Sequence, residues 1–137
     1  MRNHARNELD APFASHGISY LKTLRRVLDS RGLRHTKLVG GDVHSWVDGL
    51  CDALIGGEDP ALRAAVAVIG KHYPSTQSTA KAVATGLPLW SSEDYAADNH
   101  GSGGRCEARI VNQNFVGGQM TATIAWNLIS SYCACAR

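Results

Sequence analysis

Segments with the pattern of buried strands alternate along this chain with segments that have the pattern of helices, and this alternation constrains the fold more than any other feature. Residues 66–70 form a continuous β-branched run of the kind found in strands covered on both faces. Residues 20–33 repeat leucine and valine with the period of an amphipathic helix. Strands that are separated by helices run parallel, because parallel neighbours need crossover connections. The predicted strands are 37–42, 66–70, 87–94 and 121–126, and the predicted helices are 20–33, 46–55, 61–65, 78–85 and 107–115.

Capping residues place several helix ends. Asp59 followed by Pro60 is typical of an N-cap with proline at the first helical position. Ser19 is the predicted N-cap of the first helix, and Gly32 and Gly86 stand where two helices can end.

Two architectures combine helices and strands in this order: an open doubly wound sheet and part of an eight-stranded (β/α) barrel. Asp42, His72, Glu93 and Trp126 all stand at or near the end of a predicted strand, where barrel enzymes collect polar residues. No Gly-x-Gly-x-x-Gly loop offers a dinucleotide site, and no cofactor is expected. A complete barrel needs about 250 residues. The 137 residues therefore predict an α/β fold that is a partial (β/α)8 TIM barrel, roughly strands 4 or 5 to 8.

Composition excludes several classes of protein. With 44% hydrophobic and 19% charged residues, the chain has the composition of a globular domain. Its net charge is +2 and its basic cluster, residues 22–37, is interpreted as the solvated face of a helix, so no nucleic-acid partner is expected. No apolar run reaches the roughly 18 residues of a membrane span, and residues 1–16 lack the apolar centre of a signal peptide. The four cysteines match no zinc spacing.

Glu93 is the residue best placed for chemistry. Cleavage of a glycosidic bond needs two carboxyl groups, one to protonate the leaving oxygen and one to attack the anomeric carbon or activate water. Glu93 follows Ser91 and Ser92, whose hydroxyls could hold it ionised, although position alone favours a solvated or salt-bridged glutamate. His72 could touch substrate, orient Glu93 or serve a structural hydrogen bond. Asn112 and Asn114 are interpreted as helix surface or packing.

Four runs of residues carry a resemblance to a known family. The runs are 69–74, 89–95, 110–115 and 121–128, preceded by the helical segment 20–25. Their order and spacing resemble the galactocerebrosidase family, glycoside hydrolase family 59. The resemblance covers about residues 18–132, which we interpret as the C-terminal half of a catalytic barrel, between divergent segments 1–17 and 133–137.

The resemblance implies a (β/α) barrel that hydrolyses the β-galactosidic bond of galactosylceramide with retention, in the lysosome in animals and without a metal. It implies that Glu93 is the nucleophile at the end of the seventh strand and that Trp126 packs on the galactose, whereas Trp126 by itself reads as barrel core. The family's acid/base follows an asparagine, and the candidate pair here is Asn7 and Glu8, although no apolar strand precedes it. Cys106 falls where the family has a disulfide cysteine whose partner lies beyond this segment.

A second hypothesis is a non-catalytic half barrel that binds sugar or associates with itself, because a partial barrel exposes sheet edges. The expected partners under the first hypothesis are a galactosyl-lipid substrate and a lipid-presenting activator protein.

Overall fold

A four-stranded parallel sheet organises the chain. The computed structural model describes residues 16–44, 46, 48–75, 77–94 and 103–126. The strands are β1 (Val39–Gly40), β2 (Val68–His72), β3 (Leu89–Asp94) and β4 (Ala122–Ala125), and the helices are α1 (Ile18–Ser30), α2 (Asp48–Gly56), α3 (Pro60–Ala65), α4 (Ala80–Ala84) and α5 (Gly103–Val116). Each strand pairs in parallel with the next, which confirms the predicted α/β fold.

The order of the strands distinguishes the two predicted architectures. It is β1-β2-β3-β4, so spatial order follows chain order without reversal. A doubly wound sheet reverses its strand order at a switch point, whereas a barrel adds each new strand beside the previous one. The described strands therefore have the arrangement of part of a (β/α) barrel.

The core lies where helices cover the sheet. Leu50 of α2, Leu62 of α3 and Ile69 of β2 are at most 1% exposed, and Leu89 of β3 is 3% exposed. Burial of a side chain of this size contributes about 1.5–3 kcal/mol to stability. These contacts fix the helices against one face of the sheet and leave the strand ends to carry polar residues.

Most of the predicted helix ends are confirmed. The Asp59 carboxylate accepts a hydrogen bond from the Leu62 N–H at 2.9 Å, and Pro60 is the first residue of α3. Gly32 and Gly86 have φ of +77° and +66°, the left-handed conformation that ends a helix. The predicted cap at Ser19 is wrong, because the backbone is already helical at Gly17 and Ser19 lies inside α1.

Some predicted strand and helix boundaries shift. Strand β2 begins at Val68 and not at residue 66, because the Val66 N–H donates to the Leu62 carbonyl and extends the end of α3. Strand β1 is limited to two residues. Helix α5 begins within the glycine-rich stretch at Gly103, four residues before the predicted start. No helix among the described residues is both long and apolar enough to cross a membrane.

The basic cluster of residues 22–37 is not simply a solvated face. The Arg25 side chain is 13% exposed, pairs with Asp29, and donates to the carbonyls of Leu33 and Thr36 at 2.9 and 2.5 Å. A guanidinium carries five N–H donors in a fixed fork, which suits a turn that leaves carbonyls unpaired. Arg25 therefore closes the connection between α1 and β1.

Candidate active site at the carboxyl ends of the strands

Glu93 lies near the carboxyl end of β3 with its side chain 21% exposed. Its Oε1 accepts a hydrogen bond from the Tyr73 hydroxyl at 2.5 Å. Its Oε2 lies 3.7 Å from Nδ1 of His72. The carboxylate is thus held on one oxygen by a phenol, while its other oxygen faces an imidazole.

The two serines before Glu93 do not hold it, contrary to the sequence expectation. The Ser91 hydroxyl donates to Oδ2 of Asp94 at 2.8 Å, and the Ser92 hydroxyl donates to Oδ1 of Asp42 at 2.5 Å. A hydroxyl has one proton to donate, so neither serine also donates to Glu93. The donor to Glu93 comes from the neighbouring strand β2, through Tyr73.

His72 lies between two carboxylates. Its Nε2 is 3.0 Å from Oδ1 of Asp42, which follows β1, and its Nδ1 faces Glu93. The bond to Asp42 orients the imidazole ring, and a protonated ring would donate toward both carboxylates. His72 therefore makes a hydrogen bond to Asp42 and lies beside Glu93, while its predicted contact with substrate and its orientation of Glu93 stay predictions.

Tyr73 depends on an unusual backbone conformation. Its φ is +47°, in the left-handed region, and its N–H donates to the Glu93 carbonyl at 2.8 Å. Side chains rarely occupy this region, and where they do the conformation is often tied to function. Strand β2 therefore ends in a sharp turn that pairs Tyr73 with Glu93 through both backbone and side chain.

An aromatic group beside these residues was not predicted. The ring of His44, an exposed residue, lies 5.4 Å from the ring of His72 and 5.2 Å from that of Tyr73. His44 follows β1 by a few residues. Its place after a strand is the one feature of the sequence that could have indicated a role at the site.

Trp126 lies just past the end of β4 and is 48% exposed. Its backbone N–H donates to the Asp94 carbonyl at 2.6 Å, which ties it to the end of the neighbouring strand β3. Trp126 does not belong to the core that the described residues form, whose side chains are nearly inaccessible. An indole that is half exposed beside a carboxylate-bearing strand can offer its face to a ligand.

Asp94 of β3 and Asn114 of α5 form a buried polar cluster that sequence reasoning missed. Asp94 is 7% exposed and Asn114 is inaccessible. The Asn114 amide nitrogen lies 2.9 Å from Oδ2 of Asp94 and 3.2 Å from the Thr123 hydroxyl. Asn114 is therefore internal packing rather than helix surface. The remaining predicted site residues, Asn7 and Glu8, lie outside the described residues.

Comparisons with known proteins point to one family. The model of glycosyl hydrolase family 59 matches residues 12–136. A galactocerebrosidase of Macaca mulatta is 45% identical over 118 residues, and one of Homo sapiens is 43% identical over 118 residues; each match covers 86% of this chain and 17% of the relative. A putative galactocerebrosidase of Caenorhabditis elegans is 34% identical over 114 residues, which cover 83% of this chain and 17% of that protein. The chain thus spans about a sixth of the length of these relatives.

Proposed function

Because the chain belongs to glycosyl hydrolase family 59, we propose that it forms part of a retaining β-galactosidase that cleaves galactosylceramide and related galactosphingolipids, with Glu93 as its nucleophile. The observation that carries the proposal is the hydrogen bond of 2.5 Å from Tyr73 to Oε1 of Glu93 at the carboxyl end of β3. Barrel enzymes place their catalytic groups at these strand ends. The names of the relatives supply the substrate class.

The proposed reaction has two displacements. In the first, a Glu93 oxygen bonds to the anomeric carbon of galactose while the glycosidic bond breaks and an acid protonates the leaving oxygen. In the second, water displaces the carboxylate and gives its proton to the same acid/base residue. Tyr73 donates to Oε1, which leaves Oε2 as the attacking atom and keeps the carboxylate from rotating.

Other residues at the same edge of the sheet have supporting roles. His72 contacts both Asp42 and Glu93. We therefore propose that it orients the nucleophile and contacts the substrate. The exposed indole of Trp126 packs against the apolar face of the galactose ring. Glu8 is proposed as the acid/base and Asn7 as its neighbouring substrate contact. A retaining mechanism requires Glu8 to stand about 5–5.5 Å from Glu93 in the complete enzyme.

The substrate determines the proposed partners and location. The hydrocarbon of a galactosyl lipid is buried in a membrane or a micelle, and an activator protein that presents the lipid would bring the sugar to the strand ends. The lysosome is the proposed compartment, by the resemblance to the family.

The test of the nucleophile uses the complete polypeptide that carries this segment. It is treated with a 2-deoxy-2-fluoro-galactosyl inactivator, digested, and analysed by mass spectrometry. We expect the added galactosyl mass on Glu93, and we expect Glu93→Gln to lower kcat on the order of a thousandfold or more. Glu58→Gln, which changes an exposed carboxyl group between α2 and α3, serves as the matched control with kcat unchanged.

Label on another residue, or full activity in Glu93→Gln, would show that the nucleophile is wrong. Absence of any turnover of galactosylceramide by a complete polypeptide that does turn over a different galactoside would show that the substrate class is wrong.

A further inference from the structure

Where strand β3 pairs with β2 and with β4, it has one residue more than the strand opposite. Toward β2, the consecutive residues Lys71 and His72 pair with Ser91 and Glu93. Toward β4, Thr123 and Ala125, two apart, pair with Ser91 and Asp94, three apart. One extra residue opposite a regular strand is a β-bulge, which re-aims the side chains that follow it.

The bulge changes which face each side chain of β3 occupies. In a regular strand, consecutive side chains point to opposite faces. Here the consecutive residues Ser92 and Glu93 both reach the site, since Ser92 donates to Asp42 and Glu93 accepts from Tyr73. In a strand without the bulge, Glu93 would share the helix-covered face with Ser91.

Asp94 takes the buried position that regular alternation would have given to Glu93. Ser91 is inaccessible and donates to Asp94 at 2.8 Å, although residues three apart in a regular strand lie on opposite faces. This hydrogen bond therefore spans the bulge and requires it. The Asn114 amide of α5 donates to the same Asp94 oxygen at 2.9 Å, and the Trp126 N–H donates to the Asp94 carbonyl.

We propose that Asp94 is a positioning residue, whose buried bonds to Ser91 and Asn114 hold the bulge of β3 and thereby direct Glu93 toward the site. A buried carboxylate is costly unless its oxygens are hydrogen-bonded, so the conformation that satisfies Asp94 excludes the regular strand. Asp94 touches no substrate; it acts through the direction of Glu93. The inference rests on the proposed role of Glu93 as nucleophile.

The kinetic test compares Ser91→Ala with Thr85→Ala in the complete polypeptide. Both changes remove a buried hydroxyl, and Thr85 lies at the end of α4, where its hydroxyl donates to the Ala82 carbonyl at 2.7 Å. We measure the rate constant for covalent labelling by the 2-deoxy-2-fluoro-galactosyl inactivator and the concentration giving half the maximal rate. Ser91→Ala should label about 10- to 100-fold more slowly at saturation with the half-saturating concentration little changed, because the nucleophile is misdirected while the sugar still binds.

Variants of Asp94 itself provide a rescue. Asp94→Asn keeps a carbonyl oxygen that can accept from Ser91 and Asn114, so it should label faster than Asp94→Ala. If Asp94→Ala fails to fold, Ser91→Ala decides the question. Equal labelling rates in Ser91→Ala, Thr85→Ala and the unmodified enzyme would overturn the proposal.

A crystal structure of Ser91→Ala separates this inference from the proposed function. We expect β3 to lose its bulge and pair regularly with its neighbours, and we expect Glu93 to move away from the Tyr73 hydroxyl. If the bulge is unchanged and the Tyr73–Glu93 hydrogen bond is intact, the positioning role of Asp94 is overturned, whichever residue the inactivator labels. Label on a residue other than Glu93 in the unmodified enzyme would instead overturn the proposed nucleophile.

Discussion

Tyr73 sets the orientation of the Glu93 carboxylate at the level of single residues. Its hydroxyl donates to one carboxylate oxygen and its N–H donates to the Glu93 carbonyl, so one residue fixes both the side chain and the backbone of the other. Hydrogen bonds to a charged group contribute about 1.5–3 kcal/mol, roughly twice as much as neutral ones.

Tyr73→Phe removes the hydroxyl and keeps the ring. Since 1.4 kcal/mol corresponds to a tenfold change in rate, we expect kcat of the complete polypeptide to fall about 10- to 100-fold with little change in KM. Tyr20→Phe, at a residue of α1 that is 65% exposed, is the control and should keep full activity. Steady-state kinetics with a chromogenic galactoside measure both variants, and unchanged kcat in Tyr73→Phe would contradict the assigned role.

Asp59 gives a pH-dependent contribution to stability. The hydrogen bond from the Lys22 ammonium, at 2.6 Å, is the largest cause that lowers the pKa of Asp59, and the bond from the Leu62 N–H adds to it. A carboxyl group whose pKa is lower in the folded than in the unfolded state stabilises the fold above its unfolded pKa. That contribution is lost as pH falls through the folded pKa. Both side chains are about a third exposed, so solvent screening keeps the effect small.

Asp59→Asn isolates the charge, because asparagine caps a helix about as well as aspartate. The Tm of the variant should lie below that of the unmodified protein at pH 7, and the difference should shrink as pH falls below about 4. Thermal melts followed by circular dichroism measure it. Glu58→Gln is the control for loss of a negative charge, since Glu58 is exposed in the same loop. A difference for Asp59→Asn that is constant from pH 7 to the acid limit would refute the linkage.

At the level of elements, the three strands that carry the site pack closely at Gly70. A Cβ at this position would lie 2.6 Å from Cγ1 of Val39 on β1 and 2.8 Å from the Ser92 hydroxyl on β3. The same Ser92 hydroxyl donates to Asp42. A side chain at position 70 would therefore push Val39 and Ser92 away from the place where Ser92 makes this bond.

Gly70→Ala should lower the free energy of unfolding by about 1–3 kcal/mol, the usual cost of overpacking. Gly104→Ala in α5 is the matched control, because a Cβ added at Gly104 would meet nothing within 4 Å. This change should leave the free energy of unfolding unchanged or raise it by up to about 1 kcal/mol. Urea denaturation measures both changes. Equal urea midpoints for the two variants would show that the sheet accommodates a methyl group at position 70 without loss of stability.

The order of elements could be predicted from the sequence because it depends on local patterns: apolar runs for strands, periodicity for helices, and caps such as Asp59. The partners of Glu93 could not, because they come from another strand: His72 ends β2 and Tyr73 follows it. The bulge was equally hidden, since it depends on a comparison of β3 with its neighbours. Glu93 and Trp126 became candidates because their runs of residues resemble a family; position alone favoured a solvated or salt-bridged glutamate and a core tryptophan.

At the level of the whole molecule, apolar surface collects on and near the last strand. Among the described strands β4 pairs on one side only, and its Ile124 is 47% exposed. Phe115 and Val116 at the end of α5 are 68% and 70% exposed. Exposed apolar side chains at an unpaired sheet edge favour association with another chain.

The 137-residue chain produced alone should therefore form dimers or larger species at micromolar concentration, measured by size-exclusion chromatography with light scattering. Ile124→Lys should shift the distribution toward monomer, because a lysine on an edge strand opposes pairing. Val27→Lys, at a 45% exposed position of α1, is the control and should leave it unchanged. A monomer at all concentrations would exclude both association and the closure of a half barrel by a second copy.

The bulge makes β3 sensitive to length as well as to composition. Loss of the Ser92 codon would restore regular alternation with Glu93 still on the site face and Asp94 still buried, but it would remove the hydroxyl that donates to Asp42. Loss of the Glu93 codon would leave Ser92 alone on the site face, without the carboxylate. A designer who grafts this strand into another barrel must carry Asn114 of α5 with it, because its amide donates to the buried Asp94. An ungapped alignment with a strand that lacks the bulge compares side chains that face opposite ways beyond Ser92.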